Sequence, residues 1–504
     1  MGIVFRQSVK STIVIFLGAL LGAVTLLLSV KFLSQQELGF NRSGILFQAI
    51  VGSQFAMMGM SVVLAIFIHK YPVGDARRPS LVGICMAVPV IVTAVCSVVY
   101  FLFKPQVINL LYNNPSDKIL GARYYWLLPV CVLFYSLMMM LEYYLNSQMK
   151  LAISVFVREI VLRLLNILLI ALYFFNRINF DVLMYATVLV YIIPVIILFI
   201  LCKRTENFHV NFRWNTFSKK EKKEIIHFAW YHMLMGITLT LMGLIDTLLL
   251  APLDKDGMNT VGVYGIAVFI MSILVIPYRS MSTASVPDLT RSFEANDLQR
   301  VHDLFRRGGI NILIAAVAMC SIVLMNTPNA VSFLNGLSSK GEDYSALLGV
   351  VPVLVLGRFA DMATGLNSEV ISISKHYKFN FRISIVLIIM MFLFISTLVP
   401  KMGIYGAAWG ATLALVVFNI AKLVFLWVKM RLHPFSRKSL GVIVSGIASM
   451  SAVYFIPYFL HPLVDAALRT AIMMVVYLAM LMILKPSADL NEYLAGVKKN
   501  KRLF

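Results

Sequence analysis

Residues 11–30 read STIVIFLGALLGAVTLLLSV, a stretch without a single charged side chain. About 20 apolar residues in a helix are enough to cross the hydrocarbon core of a bilayer. A lone apolar segment in lipid must satisfy its own backbone hydrogen bonds, so a helix is expected here. Arg6 and Lys10 precede the segment, as basic residues precede a signal peptide. The segment is long for a signal peptide and many similar segments follow, so we predict a retained membrane helix.

The composition is that of a membrane protein. Of the 504 residues, 60% are hydrophobic and 13% are charged, whereas soluble domains are about 45–50% apolar and about 25% charged. A formal net charge of +21 would suggest a nucleic-acid partner in a soluble protein. Here the basic residues lie in short loops, so the charge indicates membrane orientation and no nucleic-acid partner is expected.

Five cysteines favour packing over metal binding. All lie in or at the edge of apolar segments, and no two have metal-ligand spacing. They are Cys85, Cys96, Cys131, Cys202 and Cys320. We therefore expect neither a metal site nor a cofactor.

The segments together predict an all-α integral membrane fold with about fourteen transmembrane helices. Each predicted span is bounded by Pro, Gly, Asn or charged residues. The predicted spans are 10–30, 44–69, 81–103, 124–147, 152–175, 182–202, 225–251, 262–282, 308–326, 345–373, 381–399, 404–427, 439–458 and 467–484.

The basic residues predict an orientation for these spans. With a cytoplasmic N-terminus, most lysines and arginines fall in cytoplasmic loops, as the positive-inside rule requires. Both termini are then cytoplasmic. After the eighth predicted span, Asn296 is a candidate cap for a short helix with an apolar stripe that includes Val301 and Phe305. This helix is predicted either to lie on the membrane surface or to be a linker packed on the protein itself.

A weak internal repeat divides the chain. The segment after the central basic loop resembles the start of the chain shifted by about 223 residues, with Val261-Gly262-Val263 matching Leu38-Gly39-Phe40. Six spans per repeat give both halves the same orientation, which predicts parallel six-helix lobes with a cavity between them. The predicted parts are an N-terminal lobe (1–205), a basic linker (206–224), a C-terminal lobe (225–431), an extra helix pair (432–484) and a basic tail (485–504).

Four stretches in this order resemble the polysaccharide flippases of the superfamily that also contains multidrug and toxin exporters and lipid II flippases. The resemblance covers nearly the whole chain. The stretches are Phe32-Leu33-Ser34-Gln35-Gln36-Glu37-Leu38-Gly39-Phe40, Leu141-Glu142-Tyr143-Tyr144-Leu145-Asn146 with Val157-Arg158, Val263-Tyr264-Gly265 through Arg307, and Gly403-Ile404-Tyr405-Gly406-Ala407-Ala408-Trp409-Gly410.

The resemblance implies a V-shaped, two-lobed bundle that works by alternating access in the bacterial cytoplasmic membrane. It implies a cargo of undecaprenyl-diphosphate-linked glycan, with membrane lipids, glycosyltransferases and a polysaccharide polymerase as partners. Lipid II flippases of this superfamily place arginines deep in the first two helices. Because residues 44–69 carry no charge, the cargo expected here is an O-antigen, capsule or exopolysaccharide repeat unit.

Charged residues inside the predicted spans are the candidate site, since ionisable groups in a membrane usually face a wet cavity or a partner. The forked guanidinium of arginine suits phosphate oxygens. Candidate ligands for the diphosphate and glycan are Arg163, Arg358, Arg158 and Arg279. Candidates for ion coupling or charge pairing are Asp246, Asp361, Glu142, Glu159 and Glu369.

A purely structural role is open for each of these residues. Three oppositely charged pairs could neutralise one another: Glu142–Arg158, Glu159–Arg163 and Arg358–Asp361. Arg279 and Lys422 could instead extend to the membrane interface, and Asp246 could serve as a structural hydrogen-bond acceptor as readily as a cation or proton site.

Other function classes remain open at this point. An ion-coupled exporter of small amphipathic compounds shares the repeat architecture, and a lipid II flippase shares the fold. A membrane polymerase is less favoured, because no predicted outside loop is large. Neither a phosphate-binding G-x-x-x-x-G-K-[ST] loop nor an H-E-x-x-H motif is found, and we do not expect an enzyme.

Overall fold

The computed structural model describes residues 3–205, 208–458 and 461–487, apart from the side chains of residues 3–13 and 42. The described residues are 84% helical and contain no β-strand. It divides into two units, Met1–Gly265 with Ser338–Glu342, and Ile266–Leu337 with Asp343–Phe504. The tail predicted at 485–504 lies outside the described residues beyond residue 487.

The first unit is a bundle of long apolar helices joined by short polar ones. Two π-helical turns, Gly39–Gly44 and Val157–Val161, interrupt it. Its helices are α1 (Ile3–Phe32), α2 (Gln35–Leu38), α3 (Ile45–Met57), α4 (Met60–Phe67), α5 (Arg77–Leu102), α6 (Lys104–Leu111), α7 (Pro115–Arg123), α8 (Leu127–Ser147), α9 (Leu151–Phe156), α10 (Leu162–Phe174), α11 (Phe180–Leu189), α12 (Ile192–Lys203), α13 (Lys219–Leu253) and the start of α14 (Met258–Leu274).

The second unit contains the remaining helices. Its longest helix, α16, has 40 residues. The helices are α15 (Ile276–Glu294), α16 (Leu298–Leu337), α17 (Leu347–Ala363), α18 (Asn367–Ile373), α19 (Tyr377–Met402), α20 (Ile404–Met430), α21 (Arg437–Tyr454) and α22 (Pro462–Leu484).

Local chemistry explains several helix boundaries. Ser34 and Ser218 each form a capping box, with Glu37 and Glu221 respectively, so α2 and α13 begin directly after these serines. The break between α3 and α4 has Met58 and Gly59 in the left-handed conformation, which ends the first of the two helices.

The chain is a multi-pass membrane protein. Within the described ranges, ten helices are long and apolar enough to cross a membrane, or up to twelve if two bent helix pairs are each counted as one span. Many apolar side chains on these helices are exposed, for example Leu102, Trp427 and Ile483, as expected of surfaces that face lipid. The prediction of an all-α membrane fold is confirmed, while the count of fourteen is not.

Two predicted spans account for the difference in count. The span predicted at 152–175 is divided into α9, a π-helical turn and α10, so neither helix is long enough alone. The span predicted at 439–458 corresponds to α21, Arg437–Tyr454, which is not among the candidate spans.

The amphipathic segment after the eighth predicted span is the beginning of α16. Asn296 adopts a left-handed conformation, and the cap is Asp297, whose side chain accepts a hydrogen bond from the Arg300 amide at 2.9 Å. The prediction of Asn296 as the cap was wrong. Val301 and Phe305 are fully buried, so the apolar stripe packs against the protein, as the linker alternative required.

Each unit has its own apolar core. In the first unit the core includes Leu64, Leu81, Tyr144 and Leu198, from α4, α5, α8 and α12. In the second unit a smaller cluster joins α16 to the last two helices; its buried members are Leu313, Val317, Val442, Tyr477 and Leu481.

Candidate functional site

Four charged residues form a continuous network in the first unit. Arg158 donates to Glu142 on α8 at 2.7 Å and to the neighbouring Glu159 at 3.2 Å. Glu159 also accepts from Arg163 at 2.6 Å. The π-helical turn Val157–Val161 carries the two central residues, and such turns are common at functional sites. Both pairs expected from the sequence are present, and the turn connects them.

The network is anchored to α1 at Gly18. Arg163 donates a second hydrogen bond to the backbone carbonyl of Gly18. A Cβ atom at Gly18 would lie 2.8 Å from the Cβ of Glu159, which is closer than van der Waals contact allows. Glycine therefore lets α1 approach the charged network closely.

The network is neutral, but its arginines are not fully enclosed. The side chains of Arg158 and Arg163 are 29% and 30% exposed, whereas that of Glu142 is 5% exposed. The second carboxylate oxygen of Glu142 is buried without a hydrogen-bond partner. An anion could contact the two guanidinium groups, but it would compete with carboxylates already bound to them.

Asp246 on α13 accepts hydrogen bonds, as expected of a structural acceptor, which is one of the roles that the sequence left open. It is buried, and the hydroxyl of Tyr264 on α14 donates to it at 2.9 Å. The backbone amide of Thr247 also donates to it at 2.8 Å. The Tyr264 contact joins α13 to α14 within the first unit.

In the second unit a membrane helix is broken between α17 and α18. The two helices bend by 44° at the break. Gly365 lies in the left-handed region there, with φ of +66°, and a Cβ would come within 2.8 Å of the Gly309 Cα on α16. A broken helix exposes backbone polar groups, which at membrane depth are tolerated only inside protein or beside water.

Buried amides surround the break. Asn419 on α20 donates to Asp361 at 3.1 Å and accepts from Asn367 at 3.0 Å and from Thr364 at 3.2 Å. Asn367 also donates to Thr364 at 2.7 Å. We did not single out Asn419 from the sequence, because one asparagine in an apolar helix has no distinguishing spacing.

The second polar group at the break contains Glu369 and Lys422. Glu369 accepts hydrogen bonds from Ser282 and from Tyr278 on α15, the latter at 3.4 Å. Lys422 is only 2% exposed and donates to Ser368 at 2.6 Å. The expectation that Lys422 extends to the interface was wrong, because its ammonium is directed into the broken helix.

Arg358 and Arg279 are the two candidate arginines without an acidic partner. The predicted pair of Arg358 with Asp361 is not formed, because Asp361 is bound to Asn419 instead. No carboxylate oxygen in the described residues lies within 4.0 Å of either guanidinium group. Arg358 is half-buried on α17 and Arg279 is exposed on α15.

A buried ion pair on α22 escaped the sequence analysis. Arg469 donates to Asp465 at 2.5 Å, and both residues are about 1% exposed. The i,i+4 spacing of opposite charges in an apolar helix was the signal that could have found it.

Polar residues outside the spans join the connecting segments of the first unit. Asp117 on α7 accepts from the amide of Met258, the first residue of α14, and from Gln36, both at 2.7 Å. Burial raises the pKa of Asp117 above its ordinary value, although these two hydrogen bonds act to lower it. Asp117 therefore caps the start of α14, and its negative charge is energetically unfavourable at this buried position.

The family follows from a comparison with known families. Residues 5–293, more than half of the chain, match the model of a family described as polysaccharide biosynthesis proteins. The chain belongs to this family. No curated protein matches it in sequence.

Solved structures of flippases and exporters share the fold of this polysaccharide biosynthesis protein. It is similar to lipid II flippase MurJ in an inward closed conformation, with a TM-score of 0.74 and 14% identity over 94% of this chain and 98% of the other. It is also similar to an inward-facing MATE multidrug transporter of the MOP superfamily, with a TM-score of 0.68 and 14% identity over 84% of this chain and 98% of the other. For a mutant of the Vibrio cholerae MATE transporter VcmN, the TM-score is 0.57, with 14% identity over 85% of this chain and 96% of the other.

This polysaccharide biosynthesis protein thus has the fold of membrane transporters. In its described residues no group of three or more histidine, cysteine or acidic side chains could hold a metal ion. Among the candidate site residues, four form the arginine network of the first unit, and Asp361 and Glu369 lie at the helix break of the second.

Proposed function

We propose that the protein moves an undecaprenyl-diphosphate-linked oligosaccharide from the inner to the outer leaflet of the bacterial cytoplasmic membrane. The oligosaccharide is an O-antigen, capsule or exopolysaccharide repeat unit. The polysaccharide biosynthesis family and the transporter fold support this proposal. The protein positions and releases its cargo without changing a covalent bond, so it is not an enzyme.

The main support for this proposal is the environment of Arg358. Arg158 and Arg163 are each bound to carboxylates, so a diphosphate gains less from them. Arg358 is half-buried in a membrane helix, and no described carboxylate oxygen lies within 4.0 Å of it. An unpaired cation at this depth is costly, and a phosphate group would offset that cost through paired hydrogen bonds. Arg279, exposed on α15 and also without an acidic partner, is the second candidate ligand.

The topology supports a direction of transport. Both termini and the basic loops are proposed to be cytoplasmic, following the positive-inside rule. The lobes proposed at 1–205 and 225–431 would then open alternately to the two sides. Glycosyltransferases would supply the lipid-linked unit on the cytoplasmic face, and a polymerase would consume it outside.

A lipid-linked glycan is favoured over a small amphipathic drug by the family, which is described as polysaccharide biosynthesis proteins. Lipid II is the alternative cargo, because the second candidate span, Gln35–Met57 with Met60–Lys70, contains Arg42.

The test compares Arg358→Ala with Arg437→Ala, which removes an exposed arginine at the start of α21. Cells that depend on the protein for surface polysaccharide should accumulate lipid-linked repeat units on the cytoplasmic face with the first variant only. Arg358→Lys should restore part of the transport, because it keeps the charge but loses the fork. Normal outer-leaflet delivery by an Arg358→Ala protein present at normal levels would refute the role of Arg358. Altered drug sensitivity with normal surface glycan would favour the exporter alternative.

A further inference from the structure

The linker between α12 and α13 lies against the first turns of α5. Its part from 208 to 218 has no regular secondary structure apart from one 3₁₀ turn, Trp214–Thr216. The backbone amide of Asn211 donates to the carbonyl of Pro79 on α5 at 3.0 Å. A Cβ atom at Gly83 would lie 2.0 Å from the carbonyl oxygen of Asn211, so glycine at this position allows the close approach. The backbone around Asn211 is therefore held on α5.

The contact with α5 places this part of the linker at the membrane surface. α5 is a candidate membrane span of 26 residues, which makes it about 39 Å long. Since the hydrocarbon core of a bilayer is about 30 Å thick, roughly one turn at each end of α5 lies in the interface. The helix begins with Arg77 and Arg78 and carries no charge after them. Asn211 thus contacts α5 where the helix changes from charged to apolar.

Two apolar side chains of the linker are exposed at this depth. Val210 and Phe212, on either side of Asn211, are 42% and 67% exposed. The following segment is held to the protein by Phe217, which is buried and lies 5.6 Å from the ring of Trp214. Apolar side chains at a membrane surface are stabilised when they enter the boundary between headgroups and acyl chains. Phe212 is placed to do so.

The charges around these apolar side chains are mostly positive. Residues 203–224 contain seven lysines and arginines and three acidic residues. Two of the acidic residues are paired with basic residues that precede the linker, Glu221 with Arg77 at 2.8 Å and Glu224 with Lys70 at 2.5 Å. The third lies outside the described residues. The exposed basic side chains of this range are Lys203, Arg204, Arg213, Lys219, Lys220 and Lys223.

We propose that the linker is a docking surface for anionic phospholipids, with Phe212 inserted between the lipids and the exposed lysines and arginines on their phosphate groups. Basic side chains next to a membrane attract anionic headgroups. Apolar insertion and electrostatic attraction together bind a bilayer more firmly than either does alone. Lipid binding would hold the start of α13 at the bilayer surface whether or not the protein carries a glycan, so this proposal is independent of the proposed function.

A lipid fits this surface better than two other occupants. The end of the chain, beyond the described residues, reads KKNKR at 498–502, and its positive charges would be repelled by the basic linker. An acidic soluble protein would match the charge. It would, however, have to cover Phe212 at the level where α5 enters the bilayer, whereas an anionic lipid satisfies both the cations and the apolar side chain.

The test uses Trp214 of the linker as a fluorescent reporter in the full-length protein. The other four tryptophans are replaced with phenylalanine, and the protein is reconstituted in vesicles of equal amounts of phosphatidylglycerol and phosphatidylcholine. One preparation has brominated acyl chains on the phosphatidylglycerol only, and a second has them on the phosphatidylcholine only. Because bromine quenches tryptophan on contact, the brominated phosphatidylglycerol should quench the reporter more strongly. High salt should reduce the difference by screening the charges.

Two sets of variants separate the charged from the apolar contribution. Arg213→Gln combined with Lys219→Gln should lower the preference for the anionic lipid by about fivefold for each charge removed. The control combines Lys255→Gln with Lys401→Gln, which removes two exposed charges elsewhere, and should keep the preference. Phe212→Ser should reduce quenching by both lipids, and Phe212→Leu should restore most of it, because leucine is also apolar.

Equal quenching by the two brominated lipids would overturn the role of anionic lipid, as would an equal loss of preference in the control variant. A reporter that acrylamide quenches from the water, while neither brominated lipid does, would overturn membrane binding and favour an acidic protein partner. Sodium phosphate should act like sodium chloride of the same ionic strength; a specific effect of phosphate would indicate a site for the free anion instead.

Thermal unfolding midpoints verify that each variant is folded. The comparison of the two brominated lipids needs no substitution at the proposed surface, so it decides the question even if a variant fails to fold. Glycan transport does not enter the readout, so a negative result would overturn lipid binding by the linker and leave the proposed function standing.

Discussion

Replacing Arg469 with methionine should destabilise the last two helices more than any surface substitution. The guanidinium lies in α22, fully buried, and donates to Asp465 at 2.5 Å. It also reaches the end of α21, where it donates to backbone carbonyls. These acceptors are the carbonyls of Val453 at 2.8 Å, Ile456 at 2.7 Å and Pro457 at 3.2 Å. Arg469 therefore both pairs with a charge and caps the carbonyl end of a helix.

The expected magnitude follows from what each substitution leaves behind. Arg469→Met leaves Asp465 buried without a countercharge, although Asn329 still donates a hydrogen bond to it at 2.8 Å, and breaking a buried ion pair costs about 3–5 kcal/mol. The carbonyls that lose their donor add about 1–3 kcal/mol. Asp465→Asn leaves the arginine charge with its carbonyls and should cost less. In the double variant no charge is unpaired, so its cost should fall to about 1–3 kcal/mol, below that of Arg469→Met.

Equilibrium unfolding of the purified protein in lipid bicelles measures these free energies. The surface variant Lys438→Gln on α21, whose side chain is exposed, controls for the loss of a positive charge and should change stability by less than about 0.5 kcal/mol. Additive effects of the two single substitutions would contradict this explanation, since they would show that Arg469 and Asp465 do not stabilise each other.

Three further substitutions test other parts of the structure. Gly365→Ala should lower the thermal unfolding midpoint, because the left-handed backbone disfavours alanine and the added Cβ would collide with Gly309. An unchanged midpoint would show that the helix break is not tightly packed. Gly18→Ala should weaken the charged network by displacing Glu159, and unchanged infrared bands of its carboxylates would contradict this. The raised pKa of Asp117 means that its folded form prefers the proton, so its contribution to stability is fully present below the unfolded pKa of about 3.9 and is lost as pH rises through the folded pKa. The wild type should therefore gain stability relative to Asp117→Asn as pH falls from neutral, and a constant difference across that range would refute the assignment.

Much of the fold could be predicted from hydrophobicity alone. Apolar segments of sufficient length dictate helices in lipid, so the membrane class and most helix positions followed from residues such as 11–30. The break between α17 and α18 did not. It depends on how Gly365 packs against Gly309 on another helix, and a glycine in an apolar segment does not by itself predict a bend.

The site was predictable where charges lie close together in the chain. Glu159 and Arg163 are one helical turn apart, and spacing alone predicted their contact. Arg358 and Asp361 have similar spacing but do not pair, because Asn419 from α20 binds Asp361 instead. Likewise, the burial of Lys422 depends on Ser368 from α18. Contacts between distant segments decided these outcomes, and spacing within one segment carries no information about them.

The central claim is that this protein carries a lipid-linked oligosaccharide across the membrane. The direct measurement reconstitutes the purified protein in vesicles that contain undecaprenyl-diphosphate-linked oligosaccharide and follows how much glycan becomes accessible to an external glycan-cleaving enzyme. Wild-type protein should expose the glycan of the inner leaflet, and Arg358→Ala should leave it protected as in protein-free vesicles. Equal protection with and without the wild-type protein, under an imposed pH or sodium gradient of either direction, would contradict the claim.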